Sequence, residues 1–169
     1  MEGRDRDDQG GPGRSLGAHG PAVPAAPGVP AEGSAVILVD AGPMVALLSA
    51  RDQHHDRCVR TLTEIRQPLA TVWPALAEAM YLLGPWPDAQ DVLWQKLVGG
   101  AIRILPLGES DCLRMRELMR KYRDLPMDLA DAALVRAAER ERLFTVFTTD
   151  RSGFEVYRPE GRRRFKILP

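Results

Sequence analysis

The sequence predicts an α/β fold, a three-layer domain in which a central parallel sheet of four to five strands is flanked by helices. Three observations predict it. Short apolar runs recur along the chain at residues 35–40, 69–72, 101–105 and 143–147. Segments of helical character separate them, long enough for the crossovers that parallel neighbours require. The first run, Ala35-Val36-Ile37-Leu38-Val39, is continuously apolar rather than alternating, as strands covered on both faces are.

The chain before that run, residues 1–34, is Gly, Pro, Ala and scattered charge, with Leu16, Val23 and Val29 as its larger apolar residues. It cannot bury enough surface to offset its ordering entropy and is expected to be a disordered tail, leaving residues 35–169 as one domain. The first strand ends on Asp40. An apolar segment near Pro43 to Ala50 follows, then a polar break at Arg51-Asp52-Gln53. The next helix is expected to run to about Arg66, with Cys58, Leu62 and Ile65 on one side and Pro68 as its stop. Leu69 to Val72 reads as a second strand, Trp73 to Leu83 as a helix, and Gly84-Pro85-Trp86-Pro87 as a break before a helix to about Val98. After Gly99-Gly100 comes a third strand, Ala101 to Leu105. Cys112, Met115, Leu118, Met119 and Tyr122 then recur at helical spacing in a basic helix that ends near Asp124-Leu125-Pro126. Ala130, Ala133, Leu134 and Ala137 give the following helix a narrow face for close packing. Leu143 to Phe147 forms a fourth strand running into Thr148-Thr149-Asp150, and a short edge strand near Phe165 to Leu168 closes the chain.

Composition excludes several classes. No run approaches the roughly 20 apolar residues of a membrane span, and no basic start leads into a secretory core, so a cytoplasmic protein is expected. Cys58 and Cys112 stand alone, without the spacing of a zinc site or disulfide framework, and read as helix-packing residues. The tail carries 3 of 23 basic and 5 of 23 acidic residues, leaving 20 against 18, or +2, on the domain. Bulk charge therefore announces no nucleic-acid partner; attraction for phosphate must come from local clusters.

Chemistry is carried by carboxylates. Asp40 and Asp150 each follow an apolar strand, at the carboxyl ends where α/β sheets bind ligands, although such an Asp also serves as a helix cap. Glu78 is the lone acid of Trp73-Pro74-Ala75-Leu76-Ala77-Glu78-Ala79-Met80-Tyr81-Leu82-Leu83. A helix apolar all round is expected to be buried, and a buried carboxylate needs a cation, a metal or a proton. Asp128 and Asp131 share one face at a helix start, where Asp128 reads equally as a cap and as a further ligand, while Asp131 is expected to lie deeper, against Val135 and Ala138. Carboxylates without Cys or His ligands describe a site for a hard cation such as Mg²⁺ or Mn²⁺, which can activate water for attack on a phosphodiester.

These residues carry a resemblance: Val-Asp40-Ala-Gly-Pro, Ala-Glu78 in a mid-chain apolar helix, Pro126-Met-Asp-Leu-Ala-Asp131-Ala, and Thr-Thr-Asp150-Arg-Ser-Gly-Phe154. Together they resemble the PIN-domain family, especially bacterial VapC-type toxins, over about residues 35 to 169. The resemblance implies a PIN-like parallel sheet between helices, Mg²⁺ or Mn²⁺ held by Asp40, Glu78, Asp131 and Asp150, and endonucleolytic cleavage of RNA. It also implies a homodimer and a cognate antitoxin. Two positions depart from the family pattern: Ala41 stands where many relatives carry Ser or Thr, and Gly153 where many carry another acid.

Other features have plainer readings. Thr148 and Thr149 read as structural, with a hydrogen bond to Asp150 or to a substrate phosphate as the alternative. Arg114, Arg116, Arg120, Lys121 and Arg123, and Arg158, Arg162, Arg163, Arg164 and Lys166, read as solvated faces, as holders of an RNA backbone or as partners for an acidic protein. His54 and His55 are expected at the surface, and Trp86 and Trp94 in packing or on a dimer surface. The rival readings are a phosphoryl-transfer domain, which would want a second acid beside Asp40 or a strand-end Lys, and a catalytically idle PIN-like module that binds RNA or protein.

Overall fold

A strand at Ile37–Val39 (β1) forms the middle of five, joined by Leu69–Thr71 (β2), Ile102–Ile104 (β3), Thr145–Phe147 (β4) and Lys166–Leu168 (β5). This computed structural model describes residues 36–125 and 127–169, so the tail expected over 1–34 lies outside the described residues. The strands run in the order β3-β2-β1-β4-β5, and every neighbouring pair is parallel. β1 is wholly buried, as its unbroken apolar run requires, whereas β3 at one edge is half-buried along its length.

Among the described residues seven α-helices connect and cover the strands: Ala41–Leu48 (α1), His55–Glu64 (α2), Trp73–Leu82 (α3), Pro87–Val98 (α4), Glu109–Lys121 (α5), Leu129–Glu141 (α6) and Arg151–Val156 (α7). Pro74 and Pro87 sit in the first turns of α3 and α4, where a missing N–H costs nothing. α6 is the most buried helix. Its Ala130, Ala132, Ala133, Ala137 and Ala138 have small side chains that let it lie close against α3 and α5. α1 packs on α2, α3 and α4.

One polar network fixes α5 to α6. Asp111 is buried and accepts from Gly108 N–H at 2.9 Å, Arg136 Nε at 2.8 Å and Arg140 Nη1 at 3.0 Å. The Gly108 N–H and the two guanidinium groups hold its carboxyl below the ordinary range against the opposing effect of burial. Arg114 adds a second tie, a two-pronged pair to Glu139 at 2.8 and 2.9 Å. These cations are therefore occupied within the fold.

Candidate metal centre

From β1 the chain builds outward to β2 and β3, then returns to add β4 and β5 on the other side. β1 and β4 thus flank the switch in strand order, beyond whose carboxyl ends sites form in parallel sheets. Asp40 follows β1 and Asp150 follows β4 across Thr148 and Thr149. The two loops meet closely. A Cβ on Gly42 would lie 2.0 Å from Thr149 Oγ1, so only glycine admits that approach.

Asp40, Asp128, Asp131 and Asp150 at this edge each accept a hydrogen bond. Asp40 caps α1, Oδ1 accepting from Ala41 N–H at 2.7 Å while Oδ2 accepts from the Thr148 hydroxyl at 2.7 Å. The same buried Thr148 oxygen accepts the N–H of Asp150 at 3.0 Å, so one hydroxyl ties the first acid to the last. Asp150 caps α7, its Oδ1 accepting from Ser152 N–H at 3.1 Å and Ser152 Oγ at 2.6 Å. Asp128 caps α6 by accepting from Asp131 N–H at 2.8 Å. Asp131 Oδ2 accepts from the Tyr157 hydroxyl at 2.9 Å. Glu78 reaches the group from α3, which lies against α6, and is half-buried.

The electrostatics show that these groups feel one another. Burial raises the Asp40 carboxyl, Thr148 and Ala41 oppose it, and the charges of Asp128 and Asp150 raise it further. Glu78 is raised by burial, then by Asp128 and Asp40. Asp131 is pushed up to about 7, by burial first and by Asp128 and Asp40 besides, in spite of its bond from Tyr157. Burial and then Asp131 raise the Tyr157 hydroxyl, which therefore stays protonated as a donor. Asp128 is the shared neighbour of Asp40, Glu78 and Asp131, while the charge of Asp150 bears on Asp40 and Tyr157.

The donor set suits a hard cation, because every ligating atom on offer is a carboxylate oxygen. Among the described residues no fully buried side-chain oxygen lacks a partner, so the unbonded oxygens of Glu78, Asp128 and Asp131 keep some access to solvent. Among the described residues, no three His, Cys, Asp or Glu side chains already converge as a finished ligand set. What the side chains share is a mutual repulsion that a cation would remove.

The PIN domain family pattern matches residues 37–158. The chain is a PIN-domain protein. It is related to VapC toxin ribonucleases, being 28% identical over 135 residues to Ribonuclease VapC26 of Mycobacterium tuberculosis, which covers 79% of this chain and 100% of that one. Its fold is similar to the crystal structure of Mycobacterium tuberculosis VapC20, described as a Sarcin-Ricin loop cleaving toxin, with TM-score 0.64 and 17% identity over 69% of this chain and 92% of that one. It is also similar to a toxin-antitoxin complex from Klebsiella pneumoniae, with TM-score 0.59 and 16% identity over 79% of this chain and 96% of that one.

Several sequence expectations are corrected within this PIN domain. α3 is not buried all round: Trp73, Tyr81 and Leu82 are exposed and Glu78 is only half-buried, so its partner is not demanded by deep burial alone. Cys58 is buried as a packing residue, but Cys112 is exposed. His54 and His55 are half-buried, and His55 Nδ1 bonds the Ala46 carbonyl at 2.7 Å, which ties α2 to α1. Trp86 and Trp94 are about half exposed and do not serve as core packing. Asp128 is a cap, as one reading held, and its charge also bears on three of the four expected site acids. Two groups close to the acids drew little or no sequence signal, Thr148 and Tyr157. α7 itself was not expected, because six residues with Gly153 inside give no helical period.

Proposed function

We propose that this PIN domain is a Mg²⁺- or Mn²⁺-dependent endoribonuclease, the toxin of a type II toxin-antitoxin pair, acting in the cytoplasm. The observation that carries the reading is the coupling of Asp40, Glu78 and Asp131 through Asp128 at the carboxyl edge of β1 and β4, with Asp150 tied to Asp40 by Thr148. Asp40, Glu78, Asp131 and Asp150 would hold the cation, with Asp128 as a further donor. The bound cation would supply an activated water and charge stabilisation for phosphodiester hydrolysis. The chain's own part is to keep these oxygens apart from one another yet open to solvent, which the caps at α1, α6 and α7 and the Thr148 bridge do. Family membership and the kinship to VapC26 support the same chemistry.

A groove of about 850 Å³ on α5 supports RNA as the substrate. Met115, Met119 and Leu129 line it with four cations, Arg116, Arg120, Lys121 and Arg123, against one acid, Glu117. Arg116, Arg120 and Lys121 form no ion pair among the described residues, in contrast to Arg114, which Glu139 and Glu117 occupy. Leu129 adjoins Asp128, so the basic groove runs up to the acidic edge, an arrangement suited to a polyanion whose cleaved bond lies over the acids. Exposed Trp73, Tyr81, Leu82, Trp86, Trp94 and Val98 on and between α3 and α4 support a homodimer, and the kinship to toxin-antitoxin proteins supports an antitoxin partner.

The test is to incubate antitoxin-free protein with transfer, ribosomal and messenger RNA in Mg²⁺ or Mn²⁺, with EDTA and Asp131→Asn controls, and to map new ends. Discrete cuts that need both metal and Asp131 are expected. Folded protein that binds RNA without cutting it would support the alternative, a catalytically idle PIN-like binding module, which draws on the unfinished ligand set.

A further inference from the structure

α7 carries a glycine near its middle, where glycine weakens a helix, and the reason lies in what stands over it. A Cβ built on Gly153 would lie 2.8 Å from the Tyr157 hydroxyl oxygen, 3.0 Å from Tyr157 Cε2 and 3.0 Å from Asp150 Oδ2. The Tyr157 side chain cannot easily yield. It is buried, and its ring is held edge-on by Tyr122 at 5.1 Å and by Phe154 at 5.4 Å. From that seat the hydroxyl donates to Asp131 Oδ2 at 2.9 Å. Tyr157 also ends α7, its N–H donating to the carbonyl of Gly153 at 3.0 Å, so backbone and side chain fix one another.

We propose that Tyr157 is a positioning residue for the cation site, its hydroxyl seated over Gly153 holding Asp131 Oδ2 so that Oδ1 is the oxygen presented to the ion. Asp131 Oδ1 has no partner among the described residues and keeps some access to solvent. Without the hydroxyl, the carboxylate would be free to rotate about its terminal bond, and its neighbours Asp128 and Asp40 would repel it away from them. Fixing a ligand's orientation in advance raises affinity for the ion, and loss of such an outer hydrogen bond commonly weakens metal binding roughly 10- to 100-fold. Gly153 belongs to the same device, because any larger residue displaces the hydroxyl. The proposal rests on the metal-site reading above.

The experiment measures Mn²⁺ affinity by electron paramagnetic resonance of the free ion, on purified antitoxin-free protein. The variants are Tyr157→Phe, Gly153→Ala and Asp131→Asn, with circular dichroism melts alongside. Tyr157→Phe keeps the ring and its packing and is expected to melt cooperatively while binding Mn²⁺ roughly tenfold or more weaker. Gly153→Ala is expected to lose affinity as well, by displacing the hydroxyl and by crowding Asp150 Oδ2, 3.0 Å from the new Cβ. Wild-type affinity in Tyr157→Phe would overturn the proposal. So would a Tyr157→Phe protein that no longer folds, since the hydroxyl would then be a structural bond. If the wild type itself holds no Mn²⁺, or Asp131→Asn binds it equally well, the metal-site reading fails and takes the proposal with it.

Discussion

Asp131→Asn is expected to stabilise the metal-free protein while removing its activity. Burial and the charges of Asp128 and Asp40 push the folded carboxyl from 3.8 up to about 7. That gap, at 1.36 kcal/mol per pH unit, sets a ceiling of about 4 kcal/mol on the cost of ionising Asp131 in the fold at pH 8. Coupling to neighbouring acids and partial solvent access reduce this to about 2 kcal/mol, taking half of the ceiling. Asparagine removes the charge and keeps an oxygen for the Tyr157 hydroxyl. The melting temperature should rise about 5 to 10 °C in EDTA at pH 8, read by scanning calorimetry. The sign follows from proton uptake. The folded chain holds the proton that the unfolded chain has lost between pH 4 and 7, so wild-type stability falls as pH rises through that window and is flat above it. The advantage of the variant should therefore shrink by more than half at pH 5. An unchanged or lower melting temperature at pH 8, or an equal gain at both pH values, would refute the reasoning.

Glu78→Gln should abolish RNA cleavage while circular dichroism stays near wild type and the metal-free melting temperature does not fall, since Gln removes a carboxylate that burial, Asp128 and Asp40 raise; full activity would remove it from the site. Thr148→Val should cost about 1 to 3 kcal/mol in urea unfolding by leaving Asp40 Oδ2 without its buried donor, where a neutral result would mean that the acids do not need the bridge. Asp111→Ala should destabilise by about 3 kcal/mol, because Arg136 and Arg140 lose a shared buried partner. The Asp111 carboxyl is held low, so its contribution is present above pH 3.8 and lost as pH falls below it, opposite in sign to Asp131. Arg120→Gln should lower the slope of log affinity for single-stranded RNA against log salt by about 0.7, measured by filter binding across salt, and an unchanged slope would remove this residue from the RNA face.

Much of the architecture was legible because β1 is a continuously apolar run that ends on Asp40, β4 is a short, mostly apolar run that leads through Thr148 and Thr149 to Asp150, and crossover lengths force parallel pairing. α1 was visible only as an apolar segment, since Ala41-Gly42-Pro43-Met44-Val45-Ala46-Leu47-Leu48 is apolar around its whole circumference and has no period to detect. The same absence of period misled the reading of α3. A helix apolar on all sides is buried only if something covers each side, and nothing within the described domain covers Trp73 or Tyr81. The order of the acids was readable in sequence. Their coupling was not, because the shared neighbour, Asp128, looks in sequence like any helix cap. Tyr157 was out of reach: its hydroxyl meets Asp131 across 26 positions, and the one trace of it in the sequence is the glycine that leaves it room.

The strand order has a consequence in time. The middle strand, β1, is among the first parts of the domain to leave the ribosome, yet its neighbour β4 and the Thr148 bridge to Asp40 lie 108 positions later. At about 5 to 20 residues per second, the chain spends several seconds or more with one flank of β1 unpaired. Asp40 and Glu78 are exposed to the cell well before Asp131 and Asp150 exist. The four acids are therefore brought together only when β4 closes against β1, so the half of the sheet that carries Asp40 and Glu78 waits on the half that carries Asp131 and Asp150.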